Sequence, residues 1–496
     1  MRPLAALSLM GLVLLGCTPT NPGDPCDAGS DCTPTAICTA PALADIGTPT
    51  SVVGDGTAAS CTAAALATAA SGGGTITFNC GSAPITIEVA SPIVFTQTTV
   101  LDGEGRITLS GGKRTRILYL DSGYDQTTPR LTVQRLTFRD GLSPAGGEDT
   151  AQGGGAIYRD GGSLTVIDCT FIENRGPATG QDVAGGAIYG FGGGDIVVSG
   201  SSFVGNSASN GGAIGSLNGD LTVINSTFVG NAATGTGGNP GNGGCGGAIY
   251  QDGADEVSSA CGVSLRDNTA GAIGGGWFRV SNYNNGTFTM ERSTVDANRV
   301  TPTGSGNAGG MYLQGLVLRI TASTISRNQA FYNGGIWLHT SDVDLTNVTI
   351  AENTAFGSNG GGIWLSDLRS GTLKNVTLAN NRSTAQDQIA GAIFGAGLTL
   401  HNTLISGNSA MWVGECNEEH GGGSNNLQWP GDSLCSASPL IADPALGALG
   451  ENGGPTETLV PSPTSPARAL GTDCPETDQR GQPRGNPCTV GATEVP

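Results

Sequence analysis

Apolar and polar residues alternate in short segments along most of this chain. Leu221, Val223 and Phe228 belong to one such segment, and Leu345 and Ile350 belong to another. Alternation of this kind, bounded by Gly, Asn and Ser, predicts short β-strands. No segment between about residue 84 and residue 410 shows the 3.6-residue period of an amphipathic helix. The pattern therefore predicts a chain built from many short strands.

A phenylalanine-like residue is repeatedly followed, three positions later, by asparagine. The pairs are Phe171/Asn174, Phe203/Asn206, Phe228/Asn231, Leu265/Asn268, Val295/Asn298, Ile325/Asn328, Ile350/Asn353, Leu378/Asn381 and Ile405/Asn408. The spacing runs from 25 residues, between Asn206 and Asn231, to 37 residues, between Asn231 and Asn268. The longer repeats carry extra Gly, Thr, Pro and Asn, as in the stretches 176–182 and 234–244. The unit is therefore about 25 residues long, with insertions at one corner.

Several strands in a repeat of this length match one turn of a right-handed parallel β-helix. Turns stack about 4.8 Å apart, so nine to twelve turns predict a rod roughly 45–55 Å long. Equivalent residues then form columns along the rod. We expect the asparagines to form an amide ladder and to occupy left-handed turn positions themselves. The small residues two positions before the Phe-like residue, such as Cys169 and Ser201, predict a tightly packed interior row.

The glycine pairs before each repeat, such as Gly154-Gly155-Ala156-Ile157, together with Phe-x-x-Asn, resemble the repeats of chlamydial polymorphic outer membrane proteins. This resemblance covers roughly residues 150–410 and implies the wider pectate-lyase-like β-helix class. That fold carries adhesins, lyases, hydrolases and structural proteins, so it does not by itself imply a function.

The C-terminal motifs resemble the choice-of-anchor Q domain of bacterial surface proteins. They are Ala442-Asp443-Pro444, Asn452-Gly453-Gly454-Pro455-Thr456, Thr477-Asp478-Gln479-Arg480-Gly481 and Cys488-Thr489-Val490-Gly491-Ala492. In that family the domain accompanies a surface-sorting signal. No sorting helix follows here, which favours an anchor supplied at the other end of the chain.

The first residues have the features of an export signal. Arg2 precedes an apolar run from Leu4 to Leu15 that is too short to span a membrane stably. Leu14-Leu15-Gly16-Cys17 resembles a bacterial lipobox, which implies cleavage before Cys17 and lipidation of its thiol. The alternative is an ordinary secretory signal that happens to contain a cysteine. In many Gram-negative bacteria an aspartate directly after the lipidated cysteine retains the protein at the inner membrane. This chain has Thr18 at that position, so the resemblance implies the bacterial outer membrane or cell surface.

These signals predict a division of the chain into four parts. Residues 1–16 are a signal peptide, and residues 17–50 are a lipidated tether. Residues 51–410 form the β-helix, with an N-terminal cap over about 51–80 that contains a short Ala-rich helix at 62–71. Residues 411–496 close the other end of the rod, as open solenoid ends require.

The chain contains 13 cysteines, which leaves an even number once Cys17 is lipidated. An exported chain of this kind predicts disulfides between neighbouring cysteines. The candidate pairs are Cys61–Cys80, Cys245–Cys261, Cys416–Cys435 and Cys474–Cys488. The tether contains three cysteines, an odd number, namely Cys26, Cys32 and Cys38. Cys169 is a candidate free buried thiol. No Cys-x-x-Cys pair is present, so we expect no metal site and no cofactor.

The net charge of −19 disfavours nucleic acid and anionic membrane surfaces as partners. It also disfavours strongly anionic polysaccharides unless the rod carries a local basic cleft. Charged residues make up only 13% of the chain, and the paired carboxylates of a hydrolase are not evident.

One pair of residues has the chemistry of a catalytic site. The repeat register places Lys374 and His401 in one column on adjacent turns, about 5 Å apart. Read as a site, they are a general base and a cationic stabiliser for a polysaccharide lyase or hydrolase. Read as structure, they belong to a solvated polar column that also holds Ser199, Glu291 and Thr321. The second reading is the one we favour.

The second candidate site is aromatic. Trp277, Tyr312, Trp337 and Trp364 follow glycine pairs on consecutive turns. Pointing outward, they would form a stacking surface for sugar rings. Counted from the glycine pairs, Trp337 and Trp364 align with Ile157, Ile188 and Ile249, so the sequence favours an inward position.

The function that the sequence predicts is an exported, lipid-anchored, adhesin-like rod that binds a polysaccharide or another cell surface without catalysis. The alternatives are a polysaccharide lyase or glycoside hydrolase, and a purely structural envelope component.

Overall fold

The computed structural model describes residues 37–301, 306–357, 359–384, 389–412 and 414–495. The lipidation candidate Cys17, the signal peptide, most of the tether, Cys26 and Cys32 lie outside these residues. The described chain is a right-handed parallel β-helix of about 12 turns, as the repeats predict. No helix in the described ranges is long and apolar enough to cross a membrane.

One turn shows how the strands are arranged. Ile188–Phe191 lies in an 11-stranded sheet, here called the front sheet. Asp195–Ser199 and Ser202–Val204 both lie in a 26-stranded sheet, the bent sheet, to which most turns contribute two strands. Ser207–Ala208 lies in a seven-stranded short sheet, and the chain then enters the next front strand at Ile214. A turn therefore has four sides.

The bounds of the elements follow this order throughout. The front sheet contains Ile93–Phe95, Leu118–Asp121, Ile157–Asp160, Ile188–Phe191, Ile214–Leu217, Ile249–Asp252, Trp277–Arg279, Met311–Gln314, Ile336–His339, Ile363–Ser366 and Ile393–Phe394. The short sheet contains Ser207–Ala208, Ala232–Ala233, Thr269–Ala270, Arg299–Val300, Gln329–Ala330, Thr354–Ala355 and Arg382–Ser383.

The bent sheet runs almost the whole length of the rod. It contains Ser51–Val53, Gly74–Phe78, Ile85–Glu88, Thr99–Ser110, Arg130–Arg139, Ser163–Ile167, Thr170–Ile172, Asp195–Ser199, Ser202–Val204, Asp220–Ile224, Thr227–Val229, Ser258–Cys261, Ser264–Arg266, Thr287–Glu291, Thr294–Asp296, Val317–Thr321, Thr324–Ser326, Asp342–Thr346, Thr349–Ala351, Ser370–Lys374, Thr377–Ala379, Thr399–His401, Leu404–Ser406, Gly423–Ser424, Leu427–Trp429 and Leu440–Ile441. The coil continues past the predicted boundary at residue 410, because Leu427–Trp429 pairs with Leu404–Ser406.

Helical structure is minor. The predicted cap helix is present as Ala63–Gly72, and the Thr62 side chain accepts a hydrogen bond from Ala65 N at its start. Leu66 and Ala70 face the first turn of the coil and are fully buried. Two short 3₁₀ helices occupy Ala58–Ser60 and Asp149–Ala151.

The asparagines form a continuous buried ladder. The side-chain amide of Asn298 donates to the Asn328 side-chain oxygen at 3.0 Å and to the Leu265 carbonyl at 2.9 Å. The same pattern links each asparagine to the next from Asn174 to Asn408, where the last amide donates to Glu415 at 2.7 Å. The prediction that these asparagines adopt the left-handed conformation themselves is wrong, because the preceding residue, such as Ala297 with φ 53°, takes it.

The interior beside the ladder is packed in columns. The rings of Phe171 and Phe203 stack with centroids 4.6 Å apart, and Phe203 and Phe228 repeat that distance. In the predicted small-residue row, the Ser201 hydroxyl accepts a hydrogen bond from Cys169 N at 3.0 Å. Cys169 is a free buried thiol, as predicted, and burial raises its pKa to about 12.

Three of the four predicted disulfides are present, namely Cys61–Cys80, Cys416–Cys435 and Cys474–Cys488. The fourth prediction is wrong, because Cys261 pairs with Cys38, 223 residues away. Cys245, its expected partner, is a free and fully buried thiol. Its side chain belongs to the cluster packed outside the front sheet, whereas Cys261 lies at the end of a strand of the bent sheet.

Candidate binding surface

The outer face of the front sheet carries two neighbouring columns of side chains. In-register pairing places one aromatic residue above another on almost every turn, with Gly215 as the interruption. The aromatic column contains Tyr119, Tyr158, Tyr189, Tyr250, Phe278, Tyr312, Trp337, Trp364 and Phe394. The second column lies two residues further along each strand and is polar at its C-terminal end. Side chains alternate across a strand, so both columns point away from the interior.

Insertions cover the N-terminal part of the aromatic column. They lie in the loop that joins the short sheet to the front sheet, here called the insertion corner. The Tyr189 hydroxyl donates to the Asp182 carbonyl at 2.7 Å, and the Asn239 side chain donates to the Tyr250 hydroxyl at 2.9 Å. Both tyrosines are fully buried, and burial raises their pKa values.

The C-terminal part of the column is open. Residues 331–335 alone connect the short sheet to the front sheet before Trp337, compared with residues 234–248 before Tyr250. Trp337 and Trp364 are half-buried, and their rings stack with centroids 4.1 Å apart at an interplanar angle of 14°. Tyr312 meets Trp337 edge-on at 4.7 Å.

Two parts of the aromatic prediction are wrong. Trp337 and Trp364 point outward, because they pair in register with Tyr312 and not with the isoleucine column. Trp277 is the residue that occupies the isoleucine column, between Ile249 and Met311, and it is fully buried inside the coil. It therefore has no surface to offer a ligand. Tyr312 is outward but almost completely covered, with 7% of its surface exposed.

The polar residues of the second column form hydrogen bonds beside the half-buried tryptophans. Trp337 Nε1 donates to Ser366 Oγ at 2.7 Å, and His339 Nδ1 lies 2.8 Å from the same oxygen. The Asp367 carboxylate lies 3.9 Å from His339 Nδ1. On the preceding turn the Tyr312 hydroxyl donates to Gln314 at 3.0 Å. Hydrogen-bonding groups thus lie directly beside the partly exposed indole rings.

Lys374 and His401 are in the predicted column, paired across adjacent turns of the bent sheet. The Lys374 ammonium lies 2.8 Å from the Asp473 carboxylate. That hydrogen bond is the main cause of the lowered pKa of Asp473, with smaller contributions from the charges of Lys374 and His401. Lys374 and His401 are on a different side of the coil from Trp337 and Trp364. No group of three potential metal-ligand side chains lies together in the described ranges.

No family model and no curated protein matches this chain. Solved structures, among them the following two, show a distant similarity. The surface adhesin PfbA of Streptococcus pneumoniae is 13% identical, with 84% of this chain and 99% of that chain covered and a TM-score of 0.35. The A-module of the mannuronan C-5 epimerase AlgE4 of Azotobacter vinelandii is 15% identical, with 76% and 94% covered and a TM-score of 0.32. At these values neither similarity indicates what this chain binds.

Proposed function

We propose that this protein is an exported, lipid-anchored cell-surface rod that binds carbohydrate through the open end of its aromatic column, without catalysis. The observation that carries the proposal is the outward stack of Trp337 and Trp364 beside the polar groups of His339 and Ser366. Indole rings of this kind provide an apolar face for the C–H groups of a sugar ring, while neighbouring polar atoms bind its hydroxyls.

The stacking contacts of Trp337 and Trp364 limit where a sugar ring can lie. One face of Trp337 lies against Trp364, and the edge-on Tyr312 ring also contacts Trp337. Phe394 follows Trp364 in register on the next turn, so the second face of Trp364 is directed toward that residue. We therefore place the sugar ring against the solvent-exposed part of the Trp337–Trp364 pair. Trp337 packs against Trp364, and the Trp337–Ser366 hydrogen bond fixes the orientation of the Trp337 ring.

The cellular part of the proposal rests on the N-terminal sequence. The short apolar run and Leu14-Leu15-Gly16-Cys17 support export and lipidation, and they lie outside the described residues. The proposed resemblances to chlamydial repeats and to the choice-of-anchor Q domain agree with a bacterial surface location. Mass spectrometry of the purified protein should find the mature chain beginning at an acylated Cys17.

The binding function is tested by titrating neutral and uronate-containing oligosaccharides into the protein in a calorimeter. Trp364→Ala should raise the dissociation constant at least tenfold, which corresponds to about 1.4 kcal/mol. Trp429→Ala is the control, because Trp429 is a tryptophan with 42% of its surface exposed that lies at the end of the bent sheet, away from the aromatic column. Equal losses in both variants, or no binding of any oligosaccharide, would refute the proposed site.

Catalysis is tested in the same samples. We expect no new reducing or unsaturated ends after prolonged incubation with the oligosaccharides. Turnover that disappears in His401→Ala would refute the non-catalytic function and favour a lyase or hydrolase at Lys374 and His401.

A further inference from the structure

The segment before the coil folds back along the outside of the rod. Thr50 N donates to Thr75 O in the first turn, and Ala44 lies beside Gln134 two turns further along. Cys38 is bonded to Cys261, six turn spacings from the first turn. We call residues 37–50 the strap. It covers roughly 29 Å of rod at 4.8 Å for each turn.

Amide side chains of the rod hold the strap as a neighbouring strand would. Gln134 accepts from Ala44 N at 2.8 Å and donates to Ala44 O at 3.1 Å. Asn225 accepts from Ile37 N at 3.0 Å and Cys38 N at 2.9 Å, and donates to Cys38 O at 2.7 Å. These contacts and the disulfide fix the strap at separate points on different turns.

Asn225 belongs to the corner between the two strands of the bent sheet, which we call the bend corner. The residue at this corner has positive φ on each turn, as Asn225, Asn347, Asn375 and Asn402 show. The C-terminal segment packs on the same corner near the other end of the rod. Asn347 Nδ2 donates to Thr477 O at 2.9 Å, and Asn402 Nδ2 donates to Thr472 O at 2.9 Å. Both terminal segments of the described chain therefore cover one corner.

The bend corner and the insertion corner are on opposite sides of the coil. The order of sides around a turn is front sheet, first bent-sheet strand, second bent-sheet strand and short sheet. The bend corner lies between the second and third sides, and the insertion corner lies between the fourth and the first. The open aromatic surface adjoins the insertion corner.

We infer that the rod is mounted on its supporting surface from the side, through the bend corner at the turn of Cys261, and not through its N-terminal cap. The Cys38–Cys261 disulfide holds the attachment point at mid-rod. The insertion corner and the Trp337–Trp364 surface then face away from the support. This inference rests on the proposed N-terminal anchoring, and it explains why the two terminal segments share a corner remote from the aromatic column.

The experiment attaches the chain from residue 18, through an N-terminal hexahistidine tag, to a bilayer that contains nickel-chelating lipid. Neutron reflectometry then measures the thickness of the protein layer. In the wild type the rod is held near its middle. In the double variant Cys38→Ser, Cys261→Ser the strap can separate, so the rod is held at its first turn and the layer should thicken by about 30 Å or more. The double variant Cys416→Ser, Cys435→Ser is the control and should keep the wild-type thickness.

Amide hydrogen exchange distinguishes the outcomes. The amides of Ile37, Cys38 and Ala44 should be protected in the wild type and should exchange at least tenfold faster in the strap variant. A thin layer with protected amides in the strap variant would overturn the role of the disulfide; adding Asn225→Ala should then release the strap. Unprotected amides in the wild type would overturn side mounting itself. Neither measurement depends on oligosaccharide binding, so Trp364→Ala should match the wild type in both.

Discussion

The covered and the open parts of the aromatic column share one strand register but differ in environment. Tyr250 and Trp364 occupy equivalent positions on the front sheet, yet the first is fully buried and the second is half-buried. The difference comes from the insertion corner, since the loop before Tyr250 is long and carries Asn239 onto the tyrosine hydroxyl. A short loop thus leaves the same strand position partly open to solvent without any change in the coil.

The largest expected effect is a difference in local stability between variants of the covered and the open parts. Tyr250→Ala should lower the local free energy of unfolding by about 3–5 kcal/mol, because it removes a buried ring and leaves a cavity under the loop. Trp364→Ala should cost less than half of this, because part of the ring is already in water. Native-state hydrogen exchange on the front-sheet amides measures both. Equal costs would show that the loop over Tyr250 does not protect it.

The asparagine ladder runs through both the covered and the open parts, and we expect it to contribute equally to stability in each. Asn231→Leu, in the covered part, and Asn353→Leu, in the open part, should each destabilise their turn by about 3 kcal/mol. Asn298→Leu, between them, should behave alike, because it leaves the Asn268 N–H and amide donors buried without an acceptor, each at about 1–3 kcal/mol. Thermal unfolding of the three variants provides the test. A small effect at Asn353 alone would mean that the open part is already loosened.

The open part of the rod ends near two buried titratable groups. Burial raises the pKa of Glu415 to about 8, and burial lowers the pKa of His420 to about 4. The Glu415 contribution to stability is complete below its unfolded pKa of about 4.5 and is lost as the pH rises through 8. The His420 contribution is present above about 6.5 and is lost as the pH falls through 4.

Of these two groups, Glu415 alone contributes a slope between pH 6.5 and 8. We therefore expect the free energy of unfolding to fall by up to about 2 kcal/mol over that range, and Glu415→Gln to flatten the profile. Urea denaturation at half-unit pH steps measures the slope. A slope that persists in Glu415→Gln would assign the titration to another group.

The smallest expected effect concerns the hydrogen bond from Trp337 to Ser366 in the open part. Ser366→Ala removes the acceptor of Trp337 Nε1 and should weaken oligosaccharide binding two- to fivefold, in keeping with one modest hydrogen bond. Ser370→Ala is the matched control, because Ser370 lies on the bent sheet in the same turn as Ser366 and its hydroxyl donates to Asp342 on the preceding turn. An identical change in both variants would remove Ser366 from the binding surface.

The repeat in the sequence was sufficient for the coil, the amide ladder, the interior row of small residues and the pairing of Lys374 with His401. These features depend on residues that recur on every turn. The orientation of Trp337 was predicted incorrectly because an extra residue, such as Ala156, follows the glycine pair in some repeats. One residue reverses the side of a strand on which a side chain lies.

The long-range features had no local signal. Cys261 was assigned to Cys245 because neighbouring cysteines are the default expectation, whereas the strap brings Cys38 to it from the far end of the sequence. The covering of Tyr250 likewise depends on how a loop without periodicity folds over the sheet. Both features arise where the chain leaves the repeat, so periodicity could not reveal them.

The ladder also gives the rod an electrical direction. Every amide from Asn174 to Asn408 presents its oxygen toward the N-terminal end and one of its two N–H groups toward the C-terminal end. Aligned dipoles of this kind add up, as they do in an α-helix, and leave partial positive charge at the donor end. Glu415 accepts the final N–H there. The buried carboxyl group therefore ends the ladder by accepting the N–H that a further asparagine would otherwise bind.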